Sequence, residues 1–271
     1  MKTQRLSLPP VTLSIIVPLA DNETAWQLLL SQLTRLLLTK TSTAYRVLDI
    51  VLVTSLSAND LFARLQADTA TQSLPEGGQL IIKQAPAGRA SQMNAGAAVA
   101  NGDFLWFLHA DTVLSDNSFD ALADSISQHP TRLHYFDLAF LKDATALMRL
   151  NQMGVKLRSR LAHTPFGDQG FCLGADLFEQ LGGYPEQAAY GEDHLLVWRA
   201  RQQGICLQPV GSWLWTSARK YQHQGWLRTT IRHQILWLRQ AWPEWRQLRR
   251  LRRLRQQQRQ HKIQKPLGDR K

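Results

Sequence analysis

The chain has an imidazole and a carboxylate two residues apart, directly after an apolar run. Residues 104–109 are mostly aromatic or branched, and their small number predicts a strand buried on both faces rather than a helix. His109 and Asp111 therefore lie at the end of a strand, where open α/β sheets bind their ligands. Together the two side chains could hold a divalent metal against a diphosphate. The alternative interpretation is a solvated loop aspartate after a core strand.

A second candidate is Arg89, which lies near the start of a segment of small residues. Residues 86–98 are rich in Ala and Gly, so a helix formed by them can approach a sheet closely. Arg89 at the start of that helix can contact a phosphate, because a helix N-terminus and a guanidinium both favour anions. The other interpretation is a tightly packed helix with one surface arginine.

Further carboxylates lie in the second half of the chain. Glu192 and Asp193 precede a predicted helix at 194–203, which Gly204 ends. Acidic residues in a first helical turn are common caps, so the residue types alone favour a structural role. Asp168 lies in a polar loop that, read alone, is a proline and glycine turn with a solvated carboxylate.

Alternating strands and helices must position these groups. Apolar or β-branched runs predict strands at 13–18, 47–53, 80–83 and 104–109, and helical periodicity predicts helices at 26–37 and 60–67. Asp21 and Glu23 belong to a polar segment that caps the first helix. Strands that alternate with helices imply right-handed crossovers and a largely parallel sheet, so the predicted fold class is α/β.

The net charge of +11 is unevenly distributed over the 271 residues. Residues 219–271 contain sixteen of the 32 Lys and Arg side chains but two of the 21 acidic ones, so the preceding part is slightly acidic. Such a body, with carboxylates at loop ends, suits a metal-using enzyme and argues against a polyanion groove across the whole protein. With 44% hydrophobic residues the chain can bury one sizeable core.

The sequence also bears on the cellular compartment. Cys172 and Cys206 lie in neither a CxxC nor a His-rich setting, so we interpret them as buried thiols of a reducing compartment. Pro9, Pro10 and Pro18 interrupt the N-terminal apolar residues before a signal-peptide core forms, and no run reaches the length of a membrane span. We therefore expect the body of the protein to be cytoplasmic.

The C-terminal part, residues 226–255, combines helical apolar periodicity with many arginines. Pro243 is expected to open a second helix, whose apolar stripe includes Leu248 and Leu254. Nucleic-acid binding, docking on an anionic membrane surface and a solvated charged helix are all compatible with this pattern. The tryptophans and the single apolar stripe fit a membrane surface better than a nucleic acid. Residues 256–271 are expected to be disordered.

A series of motifs resembles the family 2 glycosyltransferases of the GT-A fold. The first three are Ser-Ile-Ile-Val-Pro at 14–18, Gly-Arg-Ala-Ser-Gln-Met-Asn-Ala-Gly at 88–96 and Phe-Leu-His-Ala-Asp-Thr at 107–112, and the others lie at 166–170, 181–185, 191–193 and 216–219. Within the family the chain is most similar to a bacterial subgroup whose fourth strand ends in His-Ala-Asp-Thr in place of Asp-X-Asp. The resemblance covers about residues 13–232.

This resemblance implies a Rossmann-like GT-A domain at 1–225, with a mostly parallel sheet flanked by helices and a helical extension at 226–255. It implies an inverting, metal-assisted enzyme that transfers a sugar from a nucleotide-sugar donor to an acceptor hydroxyl. In family 2 enzymes the Glu-Asp pair faces the anomeric carbon of the sugar. Asp193 is therefore the expected base, and Glu192 is expected to orient the base or the acceptor.

The resemblance also implies which residues contact the substrates. The expected donor residues are Pro18, Asp21, Glu23, Thr54, Arg89, Asn94, His109, Ala110, Asp111 and Arg219. Asp111 and His109 are the expected ligands of Mn²⁺ or Mg²⁺ on the diphosphate, and the imidazole favours Mn²⁺. Gly167, Asp168 and Gln169 are expected on the acceptor side.

Among the expected partners are a hydroxyl acceptor that could be lipid-linked and, through the basic helix, an anionic membrane surface. Nucleic acid is not expected. The location that follows is the cytoplasm, with peripheral attachment to the inner face of the membrane.

Two positions depart from the family pattern. Thr54 stands where the family usually carries an aspartate that holds the nucleoside. The base or ribose must then be held differently, or the preferred nucleotide is not the common uridine, or binding is weaker. Gly191 stands where a hydrophobic residue often precedes Glu-Asp.

Two other functions are compatible with parts of the sequence. A nucleotidyltransferase would need a Gly-rich, lysine-containing phosphate loop after the first strand, and residues 20–23 do not form one. A catalytically weak or inactive GT-A protein that binds nucleotide or serves as a membrane scaffold would explain Thr54. The presence of Asp111, Glu192 and Asp193 argues against it.

Overall fold

The computed structural model of the protein describes residues 9–39, 42–69, 74–140, 154–188, 190–216 and 226–264. Arg219 and residues 265–271, for which the sequence makes predictions, lie outside the described residues.

The described elements alternate through the first half of the chain, as predicted. The strands are β1 (Val11–Pro18), β2 (Tyr45–Ser55), β3 (Gln79–Ala85), β4 (Phe104–Phe107), β5 (Val113–Leu114), β6 (Leu133–Phe140), β7 (Cys172–Gly174) and β8 (Leu207–Thr216). The helices are α1 (Trp26–Thr39), α2 (Asn59–Thr69), α3 (Arg89–Ala97), α4 (Ser118–Gln128), α5 (Ala175–Gln180), α6 (Glu192–Gln203) and α7 (Trp226–Gln264). Shorter turns are a π-helical one at Arg158–Ala162 and a 3₁₀ one at Gly167–Gln169.

The eight strands form one sheet in the order β3-β2-β1-β4-β7-β6-β8-β5. Strands β1 to β4 run parallel to one another, and β6 runs parallel to β8. Strand β7 is antiparallel to β4 and β6, and β5 is antiparallel to β8. The mostly parallel sheet flanked by helices confirms the predicted α/β class. Because β1, β2 and β4 point the same way, their carboxyl ends share one edge of the sheet.

Each face of the sheet carries a hydrophobic core. In β1, Ile15 and Val17 belong to the core that also contains residues of α1, α2 and α4. Ile16, between them, points to the other face and joins residues of α3, α5 and α6. Cys172 is buried as expected, but Cys206 is exposed, because it lies in the short connection between α6 and β8.

The fourth strand is shorter than predicted. Strand β4 ends at Phe107, although Leu108 N–H still donates to Ile16 O at 3.0 Å. His109 lies in a turn, where Thr112 N–H donates to His109 O at 3.0 Å. The turn carries Asp111 beyond the carboxyl end of the strand, since the chain bends before it pairs again in β5.

Helix α7 is one helix, not the two that Pro243 predicts. It packs on α6 on both sides of the proline, because Ala241 and Leu248 form a buried cluster with Trp198. This packing offsets the backbone hydrogen bond that a proline removes. Residues 256–264, expected to be disordered, are also helical, and the Gln and Arg that dominate them are good helix formers.

The apolar stripe of α7 does not point where the sequence suggests. Leu248, expected on a membrane-facing stripe, is 2% exposed and packs against the domain. The periodicity is real, but it marks the side that covers α6. Within the described parts of the chain, no helix is both long and apolar enough to cross a membrane.

Helix α3 lies close to the sheet at Gly96, as its small residues predict. A Cβ atom at this position would lie 2.6 Å from Ile16 Cγ2 and 3.1 Å from Val53 Cγ2. Ile16 and Val53 are fully buried and β-branched, so neither can move away without loss of packing. The close approach fixes how far Arg89, at the start of α3, stands from the sheet.

Gly96→Ala is expected to lower the free energy of unfolding by about 1–3 kcal/mol, because the added methyl overpacks the contact with β1 and β2. This loss outweighs the gain of up to about 1 kcal/mol that Ala brings to a helix. Urea unfolding measures the difference. The matched control is Gly154→Ala, where a Cβ would meet no atom of the described residues within 4 Å. Equal stability of the two variants would contradict the close approach.

Candidate active site

Four separate segments bring charged side chains together beyond the carboxyl edge of the sheet. We call this group the carboxylate cluster. Its members are the carboxylates Asp111, Asp168, Glu192 and Asp193, together with the cation Arg89. Arg89 begins α3, Asp111 follows β4, Asp168 lies in the 3₁₀ turn, and the Glu-Asp pair begins α6. Their charges act on one another, since Arg89 senses three of the carboxylates and Asp168 senses Asp193, Arg89 and Asp111.

An ion pair joins the starts of α3 and α6. Glu192 is buried, and its Oε1 lies 2.7 Å from Nε of the half-exposed Arg89. Burial lowers the pKa of Arg89, but attraction by Asp193, Glu192 and Asp168 outweighs burial and raises it. Arg89 therefore stays charged and balances part of the acidic cluster.

Asp193 is held by two backbone N–H groups. Gly167 N–H donates to Oδ2 at 2.5 Å, and His194 N–H donates to Oδ1 at 2.8 Å. One bond to each carboxylate oxygen fixes the orientation of the group. Position 167 suits glycine, since a Cβ atom would lie 2.8 Å from Asp193 Oδ2. A larger residue would displace the carboxylate.

Asp168 is a carboxyl group with a perturbed pKa. Burial raises its pKa to about 6, Arg158 opposes the rise, and the like charges of Asp193 and Asp111 add to it. Among the described residues, Oδ1 of Asp168 has no hydrogen-bond partner. A buried carboxylate oxygen without a partner has capacity for a hydroxyl or cation.

Asp111 is anchored by the last residue of β8, because Thr216 Oγ1 donates to Asp111 Oδ2 at 3.2 Å. In the described parts of the chain, no three His, Cys, Asp or Glu side chains form a group that could hold a metal. One carboxylate with His109 nearby in sequence fits a Mg²⁺ or Mn²⁺ ion that shares its coordination with a diphosphate and water. Such ions commonly bind through one or two carboxylates and substrate phosphates.

A second polar group lies at the ends of β1 and β2. Asp21 accepts hydrogen bonds from Ser55 Oγ at 2.5 Å and from Ser57 Oγ at 3.3 Å. Thr54 is fully buried, and its Oγ1 donates to Ser55 O at 3.4 Å. The carboxylate at this edge is therefore supplied by the loop after β1, which begins beyond Pro18, and not by β2.

Two residues expected to bind the donor use their polar atoms within the fold. Glu23 Oε1 accepts hydrogen bonds from two backbone N–H groups ahead of α1, each at 2.8 Å. Asn94 donates to Tyr184 O and accepts from Tyr184 N–H, each at 2.9 Å. Ala110 is buried beside His109. Contact of these residues with a ligand stays a prediction.

The side chain of Gln169, which is fully buried, anchors the loop at 166–170 to the core. Its Oε1 accepts from Ser159 Oγ at 2.8 Å and from Phe166 N–H at 3.0 Å, and its Nε2 donates to Phe136 O at 2.8 Å. All three bonds fix the turn that presents Gly167 and Asp168. Gln169, predicted on the acceptor side, therefore uses its side chain to hold the turn in place.

The profile of glycosyl transferase family 2 matches residues 14–176, more than half of the chain. The chain belongs to this family. No curated protein sequence matches it.

Solved structures share the GT-A fold of this family 2 protein. S. aureus TarS 1–349 in complex with UDP-GlcNAc has a TM-score of 0.59 and 16% identity, over 77% of this chain and 59% of that one. GalNAc-T7 with UDP, GalNAc and Mn²⁺ has a TM-score of 0.53 and 18% identity, over 77% of this chain and 44% of that one. The chain thus spans about three fifths of the TarS fragment.

Two residues of the candidate site, Arg158 and Gln240, do not stand out in the sequence. Arg158 lies with its guanidinium carbon 3.5 Å from the ring centroid of Phe166 and acts on the pKa of Asp168. Gln240 of α7 lies against Gly191. Nothing in the sequence around Arg158 indicates a role in the site. The contact of Gln240, in contrast, is indicated indirectly by Gly191. A glycine in place of a hydrophobic residue indicates a left-handed or crowded backbone.

The carboxyl group of Asp168 is expected to titrate near pH 6, because burial and two like charges favour its protonated form. ¹³C NMR of the labelled carboxyl group measures this pKa. Asp193→Asn removes one like charge and should lower the pKa, whereas Arg158→Gln removes an opposing charge and should raise it. Titration near the ordinary value of 3.8 in all three proteins would contradict the described cluster.

Proposed function

We propose that this protein is an inverting glycosyltransferase that moves a sugar from a nucleotide-sugar donor to an acceptor hydroxyl. The observation that carries the proposal is Asp193, a carboxylate held by two N–H groups beside Asp168 and the Arg89–Glu192 pair. Family membership supports it, as do TarS, solved with UDP-GlcNAc, and GalNAc-T7, solved with UDP. The catalytic domain comprises residues 1–225, and the extension begins at 226.

Asp193 is the proposed base. The acceptor oxygen attacks the anomeric carbon opposite the diphosphate, the hydroxyl proton passes to Asp193, and the bond from that carbon to the diphosphate oxygen breaks. The N–H groups of Gly167 and His194 orient Asp193 for this transfer. Its negative charge also stabilises the positive charge that develops on the sugar. Glu192, paired with Arg89, orients the base or the acceptor.

Asp111 and His109 are the proposed ligands of a Mn²⁺ or Mg²⁺ ion. A bound ion supplies Lewis-acid stabilisation of the leaving diphosphate, and GalNAc-T7 was solved with Mn²⁺. Arg89 stands at the N-terminus of α3, where the helix dipole and the guanidinium both attract phosphate oxygens. We assign the same phosphate-binding role to Arg219.

Asp21 is the proposed nucleoside-binding carboxylate. Thr54 supplies no charge and is buried, while Asp21 is bonded to Ser55 and Ser57 at the same edge of the sheet. A carboxylate there can accept hydrogen bonds from a base or a ribose. On the other side of the site, Asp168 Oδ1 is the proposed acceptor of a hydrogen bond from the sugar-accepting molecule.

Asp193→Asn and Asp111→Asn are expected to lose activity for different reasons. The first removes the base and should lower kcat by about 10²- to 10⁴-fold while nucleotide binding persists. The second should abolish the part of nucleotide binding that depends on metal. Thermal shift with nucleoside diphosphates, with and without Mn²⁺, measures binding, and product formation from nucleotide sugars measures transfer.

Three outcomes would overturn parts of this assignment. Near-wild-type turnover of Asp193→Asn would move the base to Glu192 or Asp168. Unchanged metal-dependent binding in Asp111→Asn would remove the metal ligand. Nucleotide binding without transfer of any sugar by the wild-type protein would favour the inactive nucleotide-binding alternative.

We also propose that the enzyme acts at the cytoplasmic face of an anionic membrane, on an acceptor carried there. The support is the outer side of α7, where Leu238, Trp242 and Trp245 are 56%, 62% and 37% exposed. We call these three residues the tryptophan face. The two tryptophan rings stack at 5.4 Å, and such rings favour the membrane interface.

Exposed arginines surround the tryptophan face. Arg246, Arg249 and Arg253 follow Trp242 by four, seven and eleven residues, so they lie on the same side of the helix. Arg249 lies over the ring of Trp245 at 4.8 Å. Each basic residue near an anionic surface contributes about 1 kcal/mol of binding, which salt screens. Apolar rings flanked by cations complement an anionic bilayer better than they complement nucleic acid.

Wild-type protein is expected to co-sediment with vesicles that contain phosphatidylglycerol, and to remain in solution with neutral vesicles or in high salt. The double variant Trp242→Ala/Trp245→Ala should lose most of this binding, because it removes the apolar contact but no charge. Leu254→Ala is the matched control, since Leu254 is 45% exposed on another side of α7. Equal recovery of all proteins in the supernatant at low salt would remove the membrane assignment. Binding to RNA instead of vesicles would assign the face to nucleic acid.

A further inference from the structure

A chain of hydrogen bonds runs from helix α6 to helix α7 and back to the backbone just before the Glu-Asp pair. Trp198 Nε1–H donates to His194 Nε2 at 2.9 Å. His194 Nδ1 lies 3.1 Å from Gln240 Oε1, and Gln240 Nε2 donates to Tyr190 O at 2.9 Å. One side chain of the basic helix, Gln240, thus bonds residues on both sides of the catalytic pair.

Both ends of this chain fix the direction of every bond. Trp198 Nε1–H can act as a donor and not as an acceptor, so His194 Nε2 must accept and the ring proton must sit on Nδ1. That proton needs an acceptor, which is the amide oxygen of Gln240. The amide nitrogen of Gln240 then faces Tyr190 O, a carbonyl that can accept. No member can be reversed or replaced by a purely apolar group without loss of a bond.

Gly191 makes room for this arrangement. Its φ of +66° lies in the left-handed region that favours glycine, and a Cβ atom there would clash with Gln240 Oε1. Gly191 O accepts the first hydrogen bond of α6, from Leu195 N–H at 3.0 Å. The departure from the family pattern at Gly191 is therefore the counterpart of Gln240, and together they set the direction in which α6 begins.

His194 transmits this position to both hydrogen bonds of Asp193. Its backbone N–H donates to Asp193 Oδ1, and its ring packs edge-on against Phe166 at 5.7 Å between centroids. Phe166 directly precedes Gly167, whose N–H donates to Asp193 Oδ2. A shift of the His194 ring would therefore disturb both donors that hold the carboxylate.

The surroundings keep His194 neutral. Burial lowers its pKa to about 4, the bond to Gln240 and the charge of Asp193 oppose this, and Arg158 and Arg201 lower it further. The rings of Trp198 and Trp237 also pack on it, at 5.9 and 6.4 Å between centroids. Protonation would place two N–H groups, those of His194 and Trp198, against each other.

We infer that Gln240 is a positioning residue of the active site, which holds the Glu192–Asp193 pair through His194 and the Tyr190–Gly191 backbone. The inference rests on the proposed role of Asp193 as the base. The basic helix then has a function in catalysis that is separate from any docking of its outer side.

The first test compares two glutamines that link the same pair of helices. Gln240→Ala removes the bonds next to the catalytic pair and should lower kcat by roughly 10- to 100-fold with little change in donor KM, since the misplaced group is the base. Gln202→Ala is the control, because Gln202 Nε2 donates to Glu244 Oε2 at 2.7 Å near the other end of α6. It should cost comparable stability in urea unfolding and keep kcat within about twofold, as expected for a contact remote from the reacting groups.

The second test uses the pH profile of Gln240→Glu. A carboxylate beside Nδ1 favours protonated His194 and raises its pKa from about 4 toward the neutral range. Protonation breaks the Trp198 bond, so this variant should lose kcat on the acid side at a higher pH than the wild-type protein does. NMR titration of the His194 ring should give the same pKa as the new limb of the profile.

Equal kcat for Gln240→Ala and Gln202→Ala, or an unchanged acid limb in Gln240→Glu, would overturn the inference. If the wild-type protein transfers no sugar, the proposed function fails, and NMR decides on Gln240 alone. Gln240→Ala must then shift the amide signals of Asp193 and Gly167 more than Gln202→Ala does, and equal shifts would refute the positioning role.

Discussion

The structure has to stabilise two adjacent carboxylates, Glu192 and Asp193, at the start of one helix. Glu192 and Asp193 lie in a poorly solvated place, where charged groups without partners are costly. The helix N-terminus favours both of them, but it does not separate their roles. The two carboxylates differ in their partners, because Glu192 forms an ion pair with Arg89 and Asp193 accepts a hydrogen bond from Gly167 N–H. One carboxylate is thereby balanced by a cation, and the other, Asp193, is the proposed base.

Those partners have to be delivered with precision, which explains features far from the chemistry. Arg89 reaches Glu192 because α3 lies close to the sheet, and Gly96 permits that approach. Gly167 reaches Asp193 because the buried amide of Gln169 ties its loop to β6. Helix α7 completes the arrangement, since Gln240 contacts the residues on either side of Glu192 and Asp193 and the tryptophan face points to solvent. The proposed roles of its two sides differ, since Gln240 is assigned to positioning and the tryptophan face to membrane docking.

Local patterns were enough to predict the four parallel strands β1 to β4 and their carboxyl edge, but not the other four strands of the sheet. The strands at 13–18 and 47–53 follow from runs of buried β-branched residues, and the close packing of α3 follows from its small residues. Motif order led to the family. The side of α7 that packs on the domain did not follow, because periodicity reveals an apolar stripe but not what covers it. Leu248 and Trp242 differ in burial through contacts with α6, which is distant in sequence.

Long-range contacts also hid part of the site. No local pattern joins Gln240 to Gly191 or Arg158 to Asp168, since these pairs meet through tertiary packing. Asp21 is a different case. The motif alone showed that Thr54 stands where the family usually carries an aspartate. The sequence did not single out Asp21 as the proposed replacement, because its contact with Ser55 depends on how the ends of β1 and β2 meet in the sheet.

The stereochemistry of the product tests the central claim most directly. A nucleotide sugar that raises the melting temperature is incubated with the protein and an accepting alcohol, and ¹H NMR gives the anomeric configuration of the product as it forms. Attack assisted by Asp193 on the side opposite the diphosphate predicts that an α-linked donor yields a β-linked product. An α-linked product would contradict the account, because retention requires a different arrangement of the reacting groups.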